Sequence, residues 1–137
     1  MPMGLQRTKL LDIKNITGPS SPVGIFTAGN TVTAAGVAGT TYVRSIVTHN
    51  SSGINTAGCS IYIAPNGVTA SSATADHRVS RVDINPNETY FFEYNYPLVL
   101  TSGDQIAVDV VHPSASSPGG IATGTQMNIQ IIGDTDI

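Results

Sequence analysis

The chain has 137 residues, of which 11% are charged, and its net charge is -3; a soluble domain usually carries about 25% charged residues. Six basic residues in a net acidic chain disfavour nucleic acid as a partner, and no segment reaches the ~20 apolar residues that span a bilayer. One cysteine, Cys59, excludes an internal disulfide, and the first seven residues lack the basic-then-apolar pattern of a signal peptide.

The remaining polarity is neutral, with 16 Thr, 13 Ser and 9 Asn, while 14 Ile and 12 Val stand against 5 Leu. β-Branched side chains are stiff at χ1 and suit a pleated surface, so the composition predicts an all-β chain. In chain order, residues 1–17 come first, with Arg7, Lys9 and Lys14 among scattered Leu and Ile. Their spacing is neither helical nor cleanly alternating, and they read as an N-terminal arm or a peripheral strand. The breaker Gly18-Pro19-Ser20-Ser21-Pro22 separates them from a body that fills 18–137.

Within the body, a strand over 39–48 ends at the turn Asn50-Ser51-Ser52-Gly53. Cys59, Ile61 and Ile63 share one face of the next strand, and Ser60 and Tyr62 the other, before the turn Pro65-Asn66-Gly67. A strand over 79–84, the turn Asn85-Pro86-Asn87-Glu88 and the aromatic strand Thr89–Tyr94 follow. Pro97-Leu98-Val99-Leu100 leads into Thr101-Ser102-Gly103-Asp104, and 105–111 puts Ile106, Val108 and Val110 on one side. A Pro/Gly/Ser loop from His112 to Gly120, a strand over 127–131 and a polar tail from Gly133 complete the chain. Short strands with turn chemistry between them predict a single antiparallel β-sandwich, jelly-roll-like in kind.

Two stretches carry a resemblance. Gly39-Thr40-Thr41-Tyr42-Val43-Arg44-Ser45-Ile46-Val47 with Asn50-Ser51-Ser52-Gly53 is one, and Ile84-Asn85-Pro86-Asn87-Glu88-Thr89-Tyr90 with Leu98-Val99-Leu100-Thr101-Ser102-Gly103-Asp104-Gln105-Ile106-Ala107-Val108 is the other. Over residues 36–111 the chain resembles the small all-β virion proteins of tailed bacteriophages, including capsid decoration (cement) proteins and tail-associated β-sandwiches. The resemblance implies a structural, oligomeric protein, with a trimer favoured on capsids.

No residue set announces catalysis, a cofactor or a metal. Asp76-His77 offers two ligands, but His49, His77 and His112 lack metal-ligand spacing. Cys59 lies on an aliphatic face and reads as core rather than nucleophile. Asp104 and Glu88 are explained by turns, and Asp83, Glu93 and Asp109 are expected on outward strand faces. Asp134 and Asp136 are two carboxylates at a frayed end, short of a calcium loop.

The aromatic cluster is more informative. Alternation puts Tyr90, Phe92 and Tyr94 on one side and Phe91 and Glu93 on the other, so one set faces out. The candidate partner contacts are therefore Arg7, Lys9, Lys14, Tyr94 and Tyr96, with the basic arm gripping an acidic neighbour. The expected role is a non-enzymatic virion structural protein on the capsid surface, contacting the major capsid protein or other virion subunits. A tail, neck or receptor-binding fibre component, or a carbohydrate-binding β-sandwich module, is the alternative; the absence of Trp weakens the last.

Overall fold

Side chains alternate across a strand, and among the described residues that alternation runs over eight strands in two sheets with a shared interior. The computed structural model describes residues 5–17, 22–29, 40–53, 55–111 and 126–136. The strands are β1 (Leu5–Thr17), β2 (Val23–Thr27), β3 (Thr41–Asn50), β4 (Ala57–Ala64), β5 (Arg78–Ile84), β6 (Thr89–Leu100), β7 (Gln105–Val111) and β8 (Gln126–Asp136). Two single-turn 3₁₀ helices, Ala70–Ser72 and Ala75–His77, join β4 to β5.

The first sheet runs β1-β8-β3-β6 and the second β2-β7-β4-β5, with every pairing antiparallel. Four of the pairs are nested: β1 with β8, β2 with β7, β3 with β6 and β4 with β5. One long hairpin rolled up across two sheets produces that nesting, which is the wiring of a jelly roll.

The interior is filled from both sheets. Val43, Ile46, Met127, Ile129 and Ile131 face in from the first, and Cys59, Ile61, Ile106, Val108 and Val110 from the second, all with no exposed surface. The outer face of the second sheet is itself covered near Tyr62 and Ala107, where Ala70 and Ala73 pack on it. Asp109 faces outward from β7, as expected, yet is completely buried.

Three turns rest on a residue with positive φ at the third position, closed by a hydrogen bond from the fourth residue to the first. They are Pro65–Val68 with Gly67 at φ 96°, Asn85–Glu88 with Asn87 at 62° and Thr101–Asp104 with Gly103 at 88°. Gly and Asn are the residues that tolerate this backbone region.

One expectation narrows and one changes. Of the arm or peripheral strand expected over 1–17, residues 5–17 form the strand and do not reach away: β1 lies at the edge of its sheet, hydrogen-bonded to β8, with Ile16 in the core and Leu10 and Leu11 packed against it. The tail from Gly133 is not frayed either, because β8 continues to Asp136 between β1 and β3. Gly133 makes this continuation possible. A Cβ there would lie 2.1 Å from the Tyr42 carbonyl oxygen and 2.8 Å from Leu10 Cδ1.

Candidate interaction surface

Strand register arranges the outer face of the first sheet in rows across β6, β3, β8 and β1. Val99, Tyr42, Asp134 and Arg7 form one row, and Glu93, Ser45, Ile132 and Lys9 the next. Phe91, Val47 and Gln130 form the third, where Asp12 and Ile13 stand together opposite Gln130 because β1 bulges between Leu11 and Lys14. Thr89, His49, Asn128 and Asn15 form the fourth.

The third row holds most of the apolar surface, Phe91, Val47 and Ile13, beside polar Gln130 and Asp12. Phe91 is 55% exposed and Ile13 69% exposed, and between them Ile13, Val47, His49, Asn128, Ile129 and Gln130 line a depression of about 380 Å³. The fourth row is polar and internally bonded: Asn15 Nδ2 donates to Asn128 Oδ1 at 2.7 Å, and His49 Nδ1 lies 2.9 Å from Thr89 Oγ1.

At the other end, Asp134 sits between two guanidinium groups. Arg7 Nε donates to its Oδ1 at 3.0 Å and Arg44 Nε to its Oδ2. Arg44 reaches it because β3 carries one extra residue there relative to β8. The Arg7 hydrogen bond, then that of Arg44, hold the Asp134 carboxyl below the usual carboxylate range, and Asp134 in turn raises Arg7. Two guanidinium groups on one carboxylate leave this end of the face with a net positive charge.

The five residues singled out by sequence are not brought together. Arg7 is turned to Asp134, and Lys9 lies 3.7 Å from Asp12. Lys14 is paired in register with the inward-facing Ile129, so it stands on the opposite side of β1 from Arg7 and Lys9. Tyr94 points into the sandwich, where its hydroxyl lies 3.1 Å from Ser80 Oγ on the facing sheet, and burial raises its pKa. Tyr96 continues the same alternation but is 91% exposed, because β6 has four residues between Glu93 and Leu98 where β3 has only Arg44.

Alternation does place Phe92 in the core and Phe91 outside, and Tyr90 meets Phe92 edge-on at 4.9 Å between centroids. Sequence reasoning missed Arg44, Asp134, Ile13 and Val99. An arginine inside a β-branched strand and an aspartate after the glycine of β8 were the available signals for the first two.

The other candidates have structural roles in the geometry. His77 Nδ1 accepts the Thr74 N–H at 3.0 Å, capping the second 3₁₀ turn. His112 lies outside the described residues. Among the described residues, no group of three His, Cys, Asp or Glu side chains gathers. Burial, reinforced by nearby Asp109, pushes the Cys59 thiol up to about 12. Burial pushes the Asp104 carboxyl up, but hydrogen bonds from the Thr101 and Asn66 backbone and the Thr101 hydroxyl outweigh it and leave the pKa lowered.

No family model and no curated protein matches the chain. Solved structures do. A chain of the T13 IBDV viral particle superposes with a TM-score of 0.51 at 7% identity, over 98% of this chain and 35% of that one. Chains of the infectious bursal disease virus Gx strain (TM-score 0.44, 9% identity, 98% and 40% covered) and Gt strain (0.40, 14%, 98% and 32%) also match. The chain thus spans about a third of the length of the first of these, and at 7% identity the likeness is one of fold. These three neighbours come from virus particles, but not from tailed bacteriophages.

Proposed function

We propose that the chain is a structural subunit of a virus particle. The observation that carries this reading is the superposition, along 98% of this nested jelly-roll chain, on a chain of a viral particle at a TM-score of 0.51. A sheet face displaying Phe91, Val99 and Ile13 suits a protein whose surface is covered in an assembly. Within that class, the resemblance over 36–111 favours a capsid decoration or cement role in a tailed phage, binding the major capsid protein. The low charge fits as well, since interface cores are depleted in charged residues.

Jelly rolls also serve as lectin domains. A sugar platform needs neighbouring exposed aromatics, and Tyr94 is turned inward away from Tyr96. Counting copies in purified particles by quantitative mass spectrometry tests the proposal. Hundreds of copies are expected for a capsid decoration protein. Six or twelve would move the chain to the tail or neck, and its absence from particles would overturn the virion reading.

A further inference from the structure

The edges of the first sheet are poorly suited to extension. β1 is bulged at two places and carries Lys9 and Lys14, while β6 contains Pro97 and the four-residue excursion opposite Arg44. Bulges, lysine and proline are the usual means of blocking edge-to-edge pairing. The outer face is what the sheet offers.

We infer that this face packs against the same face of a second copy of this chain, about a two-fold axis parallel to the strands. Such an axis keeps each row at its own height and exchanges left with right, so β6 of one copy lies over β1 of the other. Three consequences follow from the register. Phe91 of each copy meets the depression beside Ile13 of its partner, an exposed aromatic ring entering an apolar hollow of about 380 Å³. Glu93 of each copy faces Lys9 of the other, in both directions. The polar fourth row faces itself, Thr89 over Asn15 and His49 over Asn128.

The parallel axis sets Val99 over Arg7 in the first row, but it alone of the two in-plane axes brings Glu93 to Lys9. An axis across the strands would lay the first row on the fourth and the second on the third, and would set Glu93 over apolar Phe91. Lys9 has an intrachain neighbour in Asp12 at 3.7 Å, but both side chains are mostly exposed, and such a pair is worth too little to hold the lysine back.

The size is consistent with a reversible dimer. Four strands about 4.8 Å apart and about eight residues long give roughly 500 Å² of plan area per copy. The two faces together reach about 1,000 Å², the lower limit of a specific interface and short of the usual 1,600 Å².

Sedimentation equilibrium of the full chain at 1–100 µM tests the inference. The wild type should dimerise with a micromolar Kd. Phe91→Glu should raise that Kd at least about 100-fold, because each substitution acts twice across the axis at roughly tenfold per copy. Lys9→Glu and Glu93→Lys should each weaken the dimer at least about tenfold, and the combined exchange should restore it. All three positions are exposed, so far-UV circular dichroism and melting should stay as in the wild type.

A wild type that is monomeric at 100 µM overturns the inference. So does an oligomer, such as a trimer, whose mass is indifferent to Phe91→Glu and to the charge exchange. A monomer whose attachment to capsids is lost in Phe91→Glu also overturns it, because the face would then dock on a different subunit. None of these results bears on the copy number per particle, so the virion reading stands or falls separately.

Discussion

Asn50 shows how one polar side chain can join two sheets. Its Nδ2 donates to Asn55 O at 2.8 Å and to Ile84 O at 2.9 Å, while its Oδ1 accepts the Ser52 N–H at 3.0 Å. Its backbone N–H donates to Glu88 O and its carbonyl accepts the Asn87 N–H, both at 2.9 Å. The residue is wholly buried, so each lost partner exposes a desolvation cost. Asn50→Asp would turn two donors into acceptors that face carbonyl oxygens. At about 1–3 kcal/mol for each bond, we expect a loss of about 2–6 kcal/mol, read as a shift in the urea midpoint.

Two carboxylates with lowered pKa values link stability to acid pH. Asp134 and Asp104 have folded pKa values below the ordinary value of about 3.9, so both bind protons more weakly folded than unfolded. Their contribution is present above that unfolded value and is lost as pH falls through the folded one. The melting temperature should therefore hold between pH 7 and about 5 and decline below about pH 4. Asp134→Asn should lower the plateau and flatten the decline. Cys59, with its thiol pushed up to about 12 and buried, should resist alkylation at pH 8 until the protein is unfolded.

At the scale of elements, β1 and β8 depart furthest from what sequence pattern predicts. The Leu and Ile of β1 miss strict alternation because the strand is bulged opposite β8 twice, and each bulge shifts the phase by one residue. Deleting residues 1–17 removes Ile16 from the core together with the packing of Leu10 and Leu11. The expected result is loss of the cooperative thermal transition, not a folded sandwich without its attachment arm. Gly133→Ala tests β8 in the same way. Its methyl group would meet the Tyr42 carbonyl at 2.1 Å, and backbone cannot yield as a flexible side chain can. A cost of about 1–3 kcal/mol or more is expected from overpacking, measured by the same urea titration.

For the whole molecule, the interior was legible in the sequence. Cys59, Ile61, Ile106, Val108 and Val110 lie inward as alternation requires, and Ile61→Asp or Val108→Asp should abolish folding by burying an unpaired charge. The candidate surface was far less legible. Arg7 and Asp134 are 127 positions apart in the chain, and only the pairing of β1 with β8 makes them neighbours. Arg44 joins them through a bulge that no local pattern announces.

The boundary between the two kinds of knowledge follows the range of the interactions. β-Branched composition, period-two alternation and Asn/Gly turns act within a few residues, so the sequence by itself determined an all-β sandwich, most of its strands and its core faces. The nesting of the pairs, the phase shifts at bulges and the burial of Asp109 depend on segments distant in the chain. Those contacts form only when strands from both ends are brought side by side. The tertiary structure therefore decided between arm and peripheral strand for the basic N-terminal segment, and it alone decided that Tyr94 is interior and that Phe91, Lys9 and Glu93 share one open face.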